Sequence, residues 1–169
     1  MARGSFSLAT LSLTLYLCSC LMFDNVKADL IGNICSDAYN PASCNQVLRS
    51  DPHSAKADLR DLGQIAIDKA TAMAKTTLIL VKALGKGRVS SICAEVFGVV
   101  IHNLNECPGL LRSSNRLSSN YLSAEASSSM NELVTCQDKY EGNEPANVKQ
   151  AIQTTYDTIS IILAVAARL

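Results

Sequence analysis

Along residues 58–169 apolar side chains recur at steps of three and four, the period of an amphipathic α-helix. From Asp58 to Leu84 one stripe joins Leu59, Leu62, Ala66, Ala70, Met73, Thr77, Leu80 and Leu84. Gly85-Lys86-Gly87 is expected to end it, since glycine enters the left-handed region without a Cβ clash. A second helix is predicted from Val89 to Asn105, with Val89, Cys93, Val96, Val100 and Leu104 inward and Pro108-Gly109 as its stop. A third is predicted from Ser118 to Tyr140, aligned on Leu122, Ala126, Ser129, Leu133, Cys136 and Tyr140. The fourth joins Val148, Ile152, Thr155, Ile159, Ile162, Ala166 and Leu169, with Pro145 near its first turn, where a missing N–H costs nothing. Residues 108–117 read as a loop or as a kinked continuation. No window alternates with period two and β-branched enrichment, so no strand is predicted. Four amphipathic helices with short connections predict an all-α fold, an antiparallel four-helix bundle over residues 54–169.

Ahead of the bundle, residues 29–50 predict a helical hairpin. Asp29 can cap a first short helix that includes Asn33-Ile34-Cys35. Asn40-Pro41 marks the turn, because the residue before proline disfavours the helical region. Residues 42–48 form the second arm. Helices this short are marginal alone in water, so a link between Cys35 and Cys44 is a physical requirement for this module.

Residues 1–28 have a different pattern. Arg3 is followed by a stretch from Phe6 to Phe23 without charge and rich in leucine, and Val26-Lys27-Ala28 places small or apolar residues before the expected cut. This is the form of a secretory signal peptide cleaved after Ala28, with an uncleaved anchor as the rival reading. Its serines, threonines and cysteines weaken that rival. After cleavage no membrane association is expected.

Composition narrows function. Lys+Arg 15 against Asp+Glu 15 leaves no basic excess for neutralising phosphates, which argues against a nucleic-acid binder. A hydrophobic content of 48% excludes global disorder. Two histidines leave little for a metal or proton-transfer site, and clustered Cys/His spacing is absent, so no metal and no cofactor are expected. Beyond the signal the cysteines are Cys35, Cys44, Cys93, Cys107 and Cys136, an odd number in a compartment where disulfides persist. Fifteen ways of making two bridges exist. Cys35–Cys44 closes a short local loop, and Cys93 and Cys136 sit on the inward stripes of two long helices, so geometry favours these two. Cys107, beside Pro108, is the candidate free thiol. Its rival roles are an intermolecular bridge or a redox site.

Several stretches resemble one family. Cys35-Ser36-Asp37-Ala38-Tyr39-Asn40-Pro41-Ala42-Ser43-Cys44 is similar to the opening hairpin of plant invertase and pectin methylesterase inhibitors. Cys93-Ala94-Glu95-Val96-Phe97 resembles their Cys-x3-aromatic stretch. Tyr121-Leu122-Ser123-Ala124 with Thr135-Cys136-Gln137-Asp138 resembles their Ser-Ala…Thr-Cys-x-Asp segment. The run from Ser50 to Leu59, with Leu62-Gly63, resembles the plane-tree pollen allergen-like branch. The resemblance implies a hairpin on a four-helix bundle with bridges Cys35–Cys44 and Cys93–Cys136. It also implies a non-covalent, one-to-one inhibitor that covers its target enzyme's active cleft, in the apoplast or, alternatively, the vacuole. Two departures stand out: Pro108-Gly109 interrupts a helix that usually continues, and Cys107 is extra. A Pro-Lys-Phe element tied to invertase inhibition is replaced by Glu144-Pro145-Ala146-Asn147-Val148-Lys149, which favours pectin methylesterase over invertase as target.

Other motifs have simpler explanations. Gly85-Lys86-Gly87-Arg88 lacks the spacing and the preceding strand of a phosphate loop. His102 has no nucleophile and orienting acid that sequence can place beside it. Asp58, Arg60 and Asp61 are expected to cap and solvate the first long helix. Ser127-Ser128-Ser129 has no nucleophile-elbow context. A small apolar-ligand carrier is the alternative from the binding class; it requires a cavity that close-packing Ala, Val, Ile and Leu stripes disfavour. A hydrolase lacks any recognisable catalytic residues. No contacting face is assigned.

Overall fold

A computed structural model describes residues 30–169. The expected leader, residues 1–28, and the capping role expected of Asp29 lie outside the described residues. Among the described residues all regular structure is helical. Helix α1 covers residues 30–37 and α2 covers Pro41–Arg49. Asn40 caps α2 by accepting from the Ser43 N–H, and Pro41 supplies its first turn. A single 3-10 turn at Ser54–Lys56 leads to α3 (Leu59–Ala83), α4 (Arg88–Arg112), α5 (Arg116–Lys139) and α6 (Ala146–Ala166).

The four long helices form the expected bundle. α3 packs on α4 and α6, and α5 packs on the same two, so α3 and α5 stand diagonally across the core. Phe97, Leu104, Leu122, Leu133, Ile152 and Ile159 are fully buried between them. Thr77 and Thr155 meet at 3.4 Å in this core. Each hydroxyl also donates to the carbonyl four residues earlier, so burial leaves neither unpaired. Asp58 opens α3 with a reciprocal capping box: its carboxylate accepts from the Arg60 and Asp61 N–H groups, and Asp61 accepts from the Asp58 N–H. Just beyond the end of α3 lies Gly85, whose φ of +93° is accessible to glycine at little cost.

Several expectations need correction, among them Leu169, which lies past the end of α6 and is exposed instead of joining its buried stripe. The α3 stripe drifts: Ala74 and Val81 are fully buried where Met73 and Leu80 were expected, and Leu84 is 44% exposed. A helix of 3.6 residues per turn rotates relative to a fixed three-four count, and over 25 residues the buried line moves to the next position. α4 does not stop before Pro108; of the two alternatives for the following stretch the helical continuation holds, as far as Arg112. Proline removes one backbone donor and is worth about 3 kcal/mol against a helix interior. Here Cys107 and Leu111, on either side of it, are buried, and the Arg60 guanidinium donates to the carbonyls of Leu111 and Ser113 at the helix end. Tertiary packing therefore outweighs the local penalty. α5 begins at Arg116, earlier than Ser118, because Asn115 caps it through the Leu117 N–H.

The hairpin lies against α6. Asn40 donates to the buried Asp157 carboxylate at 2.7 Å, Gln153 donates to its other oxygen at 2.7 Å, and the Tyr39 N–H donates to Ser160 at 3.2 Å. The Tyr39 and Tyr156 rings meet edge to face at 5.2 Å. Arg168 pairs with Asp37 and donates to the Asn33 carbonyl.

Candidate interaction surface

Sulfur chemistry first fixes what can move. Cys35 and Cys44 are bonded across the α1–α2 turn, and Cys93 and Cys136 are bonded between α4 and α5, all four fully buried. The closed loops have sequence separations of 9 and 43. Cys107 is a free thiol with no exposed surface, and its Sγ approaches the Asn103 carbonyl at 3.4 Å. Burial, reinforced by Glu125, pushes its pKa up to about 12. A thiol that stays protonated and inaccessible is a poor nucleophile, which disfavours the redox and intermolecular roles.

Polar groups that could do chemistry are scattered. His102 is exposed on α4. His53 is exposed and its Nδ1 lies 2.9 Å from Asp51. The backbone N–H and imidazole of His53, with Lys69 at 3.6 Å, hold the Asp51 carboxyl below the usual aspartate range. Ser127 and Ser128 are exposed, whereas Ser129 faces the core without a hydrogen-bond partner among the described residues. Among the described residues no group of three or more His, Cys, Asp or Glu is placed to hold a metal ion, and no helix is long and apolar enough to cross a membrane. Three clefts of about 660, 440 and 380 Å³ lie along α3. One runs under the 51–57 linker, one between α3 and α6, and one between α3 and α4 beside Pro108. All open to solvent, unlike the enclosed core cavity that an apolar-ligand carrier calls for.

What remains for function is surface, and α5 offers the most distinctive face. The fully exposed positions from Leu117 to Thr135 are uncharged, with half-buried Glu125 and Glu132 at the margin. Leu117 and Tyr121, one turn apart, are each 60% exposed, and Val134 adds an apolar side chain farther along. Ala124, Ser127 and Asn131 leave the middle low and flat. Such a face is cheap to desolvate, and aromatic residues with few charges characterise the centres of protein interfaces. The Cys93–Cys136 bridge ties the far end of this face, beyond Val134, to α4.

Sequence reading assigned no contacting face and missed the groups that orient the scaffold. Arg60, expected to be solvated, is a half-buried clasp between α3 and the end of α4. Asp157 and Ser160 interrupt the apolar run of α6 and hold the hairpin; a buried carboxylate beside Ile159 and Ile161 was the available signal.

Comparison with known proteins gives a consistent result. Residues 29–165 match the family described as plant invertase/pectin methylesterase inhibitor. A pectinesterase inhibitor from Actinidia deliciosa is 36% identical over 153 residues, an alignment covering 83% of this chain and 80% of the relative. The fold resembles the crystal structure of mutant form A of a pectin methylesterase inhibitor from Arabidopsis, with TM-score 0.71 and 22% identity, over 82% of this chain and 96% of the other. A second crystal structure, of a pectin methylesterase inhibitor from Arabidopsis thaliana, gives TM-score 0.61 and 21% identity over 83% and 96%.

Proposed function

The chain belongs to the plant invertase/pectin methylesterase inhibitor family, and on that premise we propose that it is a protein inhibitor of pectin methylesterase and not itself an enzyme. The observation that carries this reading is the 36% identity to a pectinesterase inhibitor across most of both chains. Invertase is not favoured as target, since Glu144-Pro145-Ala146 stands where the invertase-linked Pro-Lys-Phe element would be.

The mode of action follows from rigidity. A bundle with its helices stapled together loses little conformational freedom on docking, so more of the contact energy survives as affinity. Inhibition is non-covalent and one-to-one, consistent with a thiol locked inside the core. The α5 face lies over the target's cleft and excludes substrate, with Tyr121 and Leu117 as anchors. Export through the leader at residues 1–28 delivers the protein to the apoplast; the family match begins at residue 29, which supports cleavage after Ala28.

Residues 29–169, produced with both bridges intact, are titrated into pectin methylesterase and, in parallel, invertase. Esterase activity is expected to fall to a floor at one equivalent, with invertase unaffected. Unchanged esterase rates at equimolar excess overturn the reading. Tyr121→Ala is expected to weaken inhibition at least tenfold, the scale of an interface hot spot. If Tyr121→Ala and Leu117→Ala both inhibit like the parent, the α5 face is not the contact.

A further inference from the structure

Charge is balanced over the whole chain but not along it. Between Asp68 and Glu95 there are five cations, Lys69, Lys75, Lys82, Lys86 and Arg88, and no acid. Lys69 is engaged with Asp51 at 3.6 Å. The other four are exposed, and among the described residues none has a carboxylate within ion-pair distance. Lys75 and Lys82 are seven residues apart, so they share one face of α3 about 10 Å apart along its axis; exposed Asp68, seven residues before Lys75 and lining the same α3–α4 cleft, bounds the row at its lower end. Ile79, 68% exposed, lies between them. Lys86 and Arg88 extend the line around the glycine turn.

The neighbouring helices do not cancel this edge. On α4, which runs back alongside α3, the first acid is Glu95, two turns beyond Arg88 and so level with the Lys75 stretch; it is exposed and makes no ion pair with the α3 lysines among the described residues. On α6 the only acid is Asp157, buried against the hairpin. Glu144, before α6, is paired with Lys149 at 3.3 Å. Asp138 and Glu141 belong to the α5–α6 corner, across the bundle end. The edge is therefore a row of single, separated positive charges on a rigid support.

We propose that this α3 edge binds a linear polyuronate, a polysaccharide bearing carboxylates at regular intervals. The proposal rests on the inhibitor reading: each ester the target hydrolyses leaves a carboxylate on the same polymer, so the inhibitor can be held where the target has worked. Lysine suits this ligand because it offers a point charge to one carboxylate at a time. Nucleic acid fits less well, since the edge carries no aromatic residue on which bases could stack. Because α3 is diagonal to α5, the polymer and the enzyme can be held at once.

The test is affinity electrophoresis of native residues 29–169 through gels containing polygalacturonate, fully methyl-esterified pectin, dextran sulfate or no polymer. Polygalacturonate is expected to retard the protein at low salt. Esterified pectin is expected to have no effect, and moderate salt is expected to abolish retardation, because exposed charges are screened within about 10 Å at 0.1 M. Lys75→Gln/Lys82→Gln/Lys86→Gln is expected to weaken binding about tenfold while inhibiting pectin methylesterase on esterified substrate like the parent. Equal retardation of parent and triple variant overturns the proposal. So does retardation by dextran sulfate equal to that by polygalacturonate, which signals polyanion binding without preference. Retardation without any esterase inhibition leaves this edge standing and removes the inhibitor reading; inhibition without retardation does the reverse.

Discussion

Replacing Cys93 and Cys136 by alanine tests the scaffold most directly. Their bridge closes a loop with sequence separation 43, against 9 for Cys35–Cys44. Loop-closure entropy in the denatured chain makes the longer bridge worth about 4 kcal/mol and the shorter about 2.7 kcal/mol. Total stability of a domain this size is about 5–15 kcal/mol, so the long bridge is a large share of it. All four sulfurs are buried and alanine leaves only a small gap, so the difference between the two double variants isolates the loop term. Urea unfolding followed by circular dichroism should show Cys93→Ala/Cys136→Ala losing about 4 kcal/mol, with a midpoint temperature lower by roughly 10–15 °C. With both partners removed, Cys107 has no sulfur to exchange with in the bundle. Cys35→Ala/Cys44→Ala should lose less from the bundle and should free the hairpin first. A loss below about 1 kcal/mol for the long bridge, or a larger global loss for the short one, refutes the entropic argument. Peptide mapping that finds residues 93 and 136 as thiols in native protein refutes the scaffold itself.

Further outcomes follow from individual contacts. A Cβ at Gly63 would lie 2.9 Å from Leu111 Cδ1 and 3.0 Å from Val165 Cγ1, so Gly63→Ala should destabilise by about 1 kcal/mol despite the helix-propensity gain; stabilisation in urea unfolding counts against the close packing. Cys107 should not react with a thiol reagent in native protein at pH 8 and should give one equivalent in guanidinium. Its raised pKa also means that the unfolded chain releases this proton first, so stability should fall as pH climbs from the ordinary thiol range toward about 12. The lowered pKa of Asp51 carries the opposite sign: its hold on the 51–57 linker is present above the usual aspartate range and is lost as pH falls through the lowered value. Carbon-detected NMR titration should place Asp51 below ordinary aspartates, and His53→Ala should move it only part of the way back, since the backbone N–H that contributes most is retained. Asp58→Ala removes the α3 cap and should cost about 1 kcal/mol in the same unfolding assay.

Periodicity made the bundle readable because each long helix buries one stripe, and the burial of Leu62, Ala66, Ala70, Leu122, Ala126 and Ile152 follows it closely. Reading failed where distant residues decide a local outcome. Pro108 has every local property of a helix stop, yet Leu111 packs on Gly63, and Arg60 reaches the Leu111 carbonyl at the end of the same helix from fifty-one positions away. The α5 face escaped notice for the reverse reason. A row of serines, alanines and asparagines shows no chemistry along the chain; its interest lies in what it lacks, and only the fold shows those positions sharing one surface. Cysteine pairing lay between these cases, because stripe membership placed Cys93 and Cys136 inward but only assembled helices bring their Cα atoms to 4.9 Å.

The Arg60 clasp has a consequence for how α4 is held. The C-cap of α4, Ser113, is extended, and the carbonyls of Leu111 and Ser113 receive their donors from α3. The final turn of α4 therefore depends on α3 for its hydrogen bonds as well as for the packing of Leu111 on Gly63, whereas the stretch beside Cys93 is tethered covalently to α5. One helix is thus held in two ways: near its start by a covalent link to α5, and at its last turn by a guanidinium reaching over from α3.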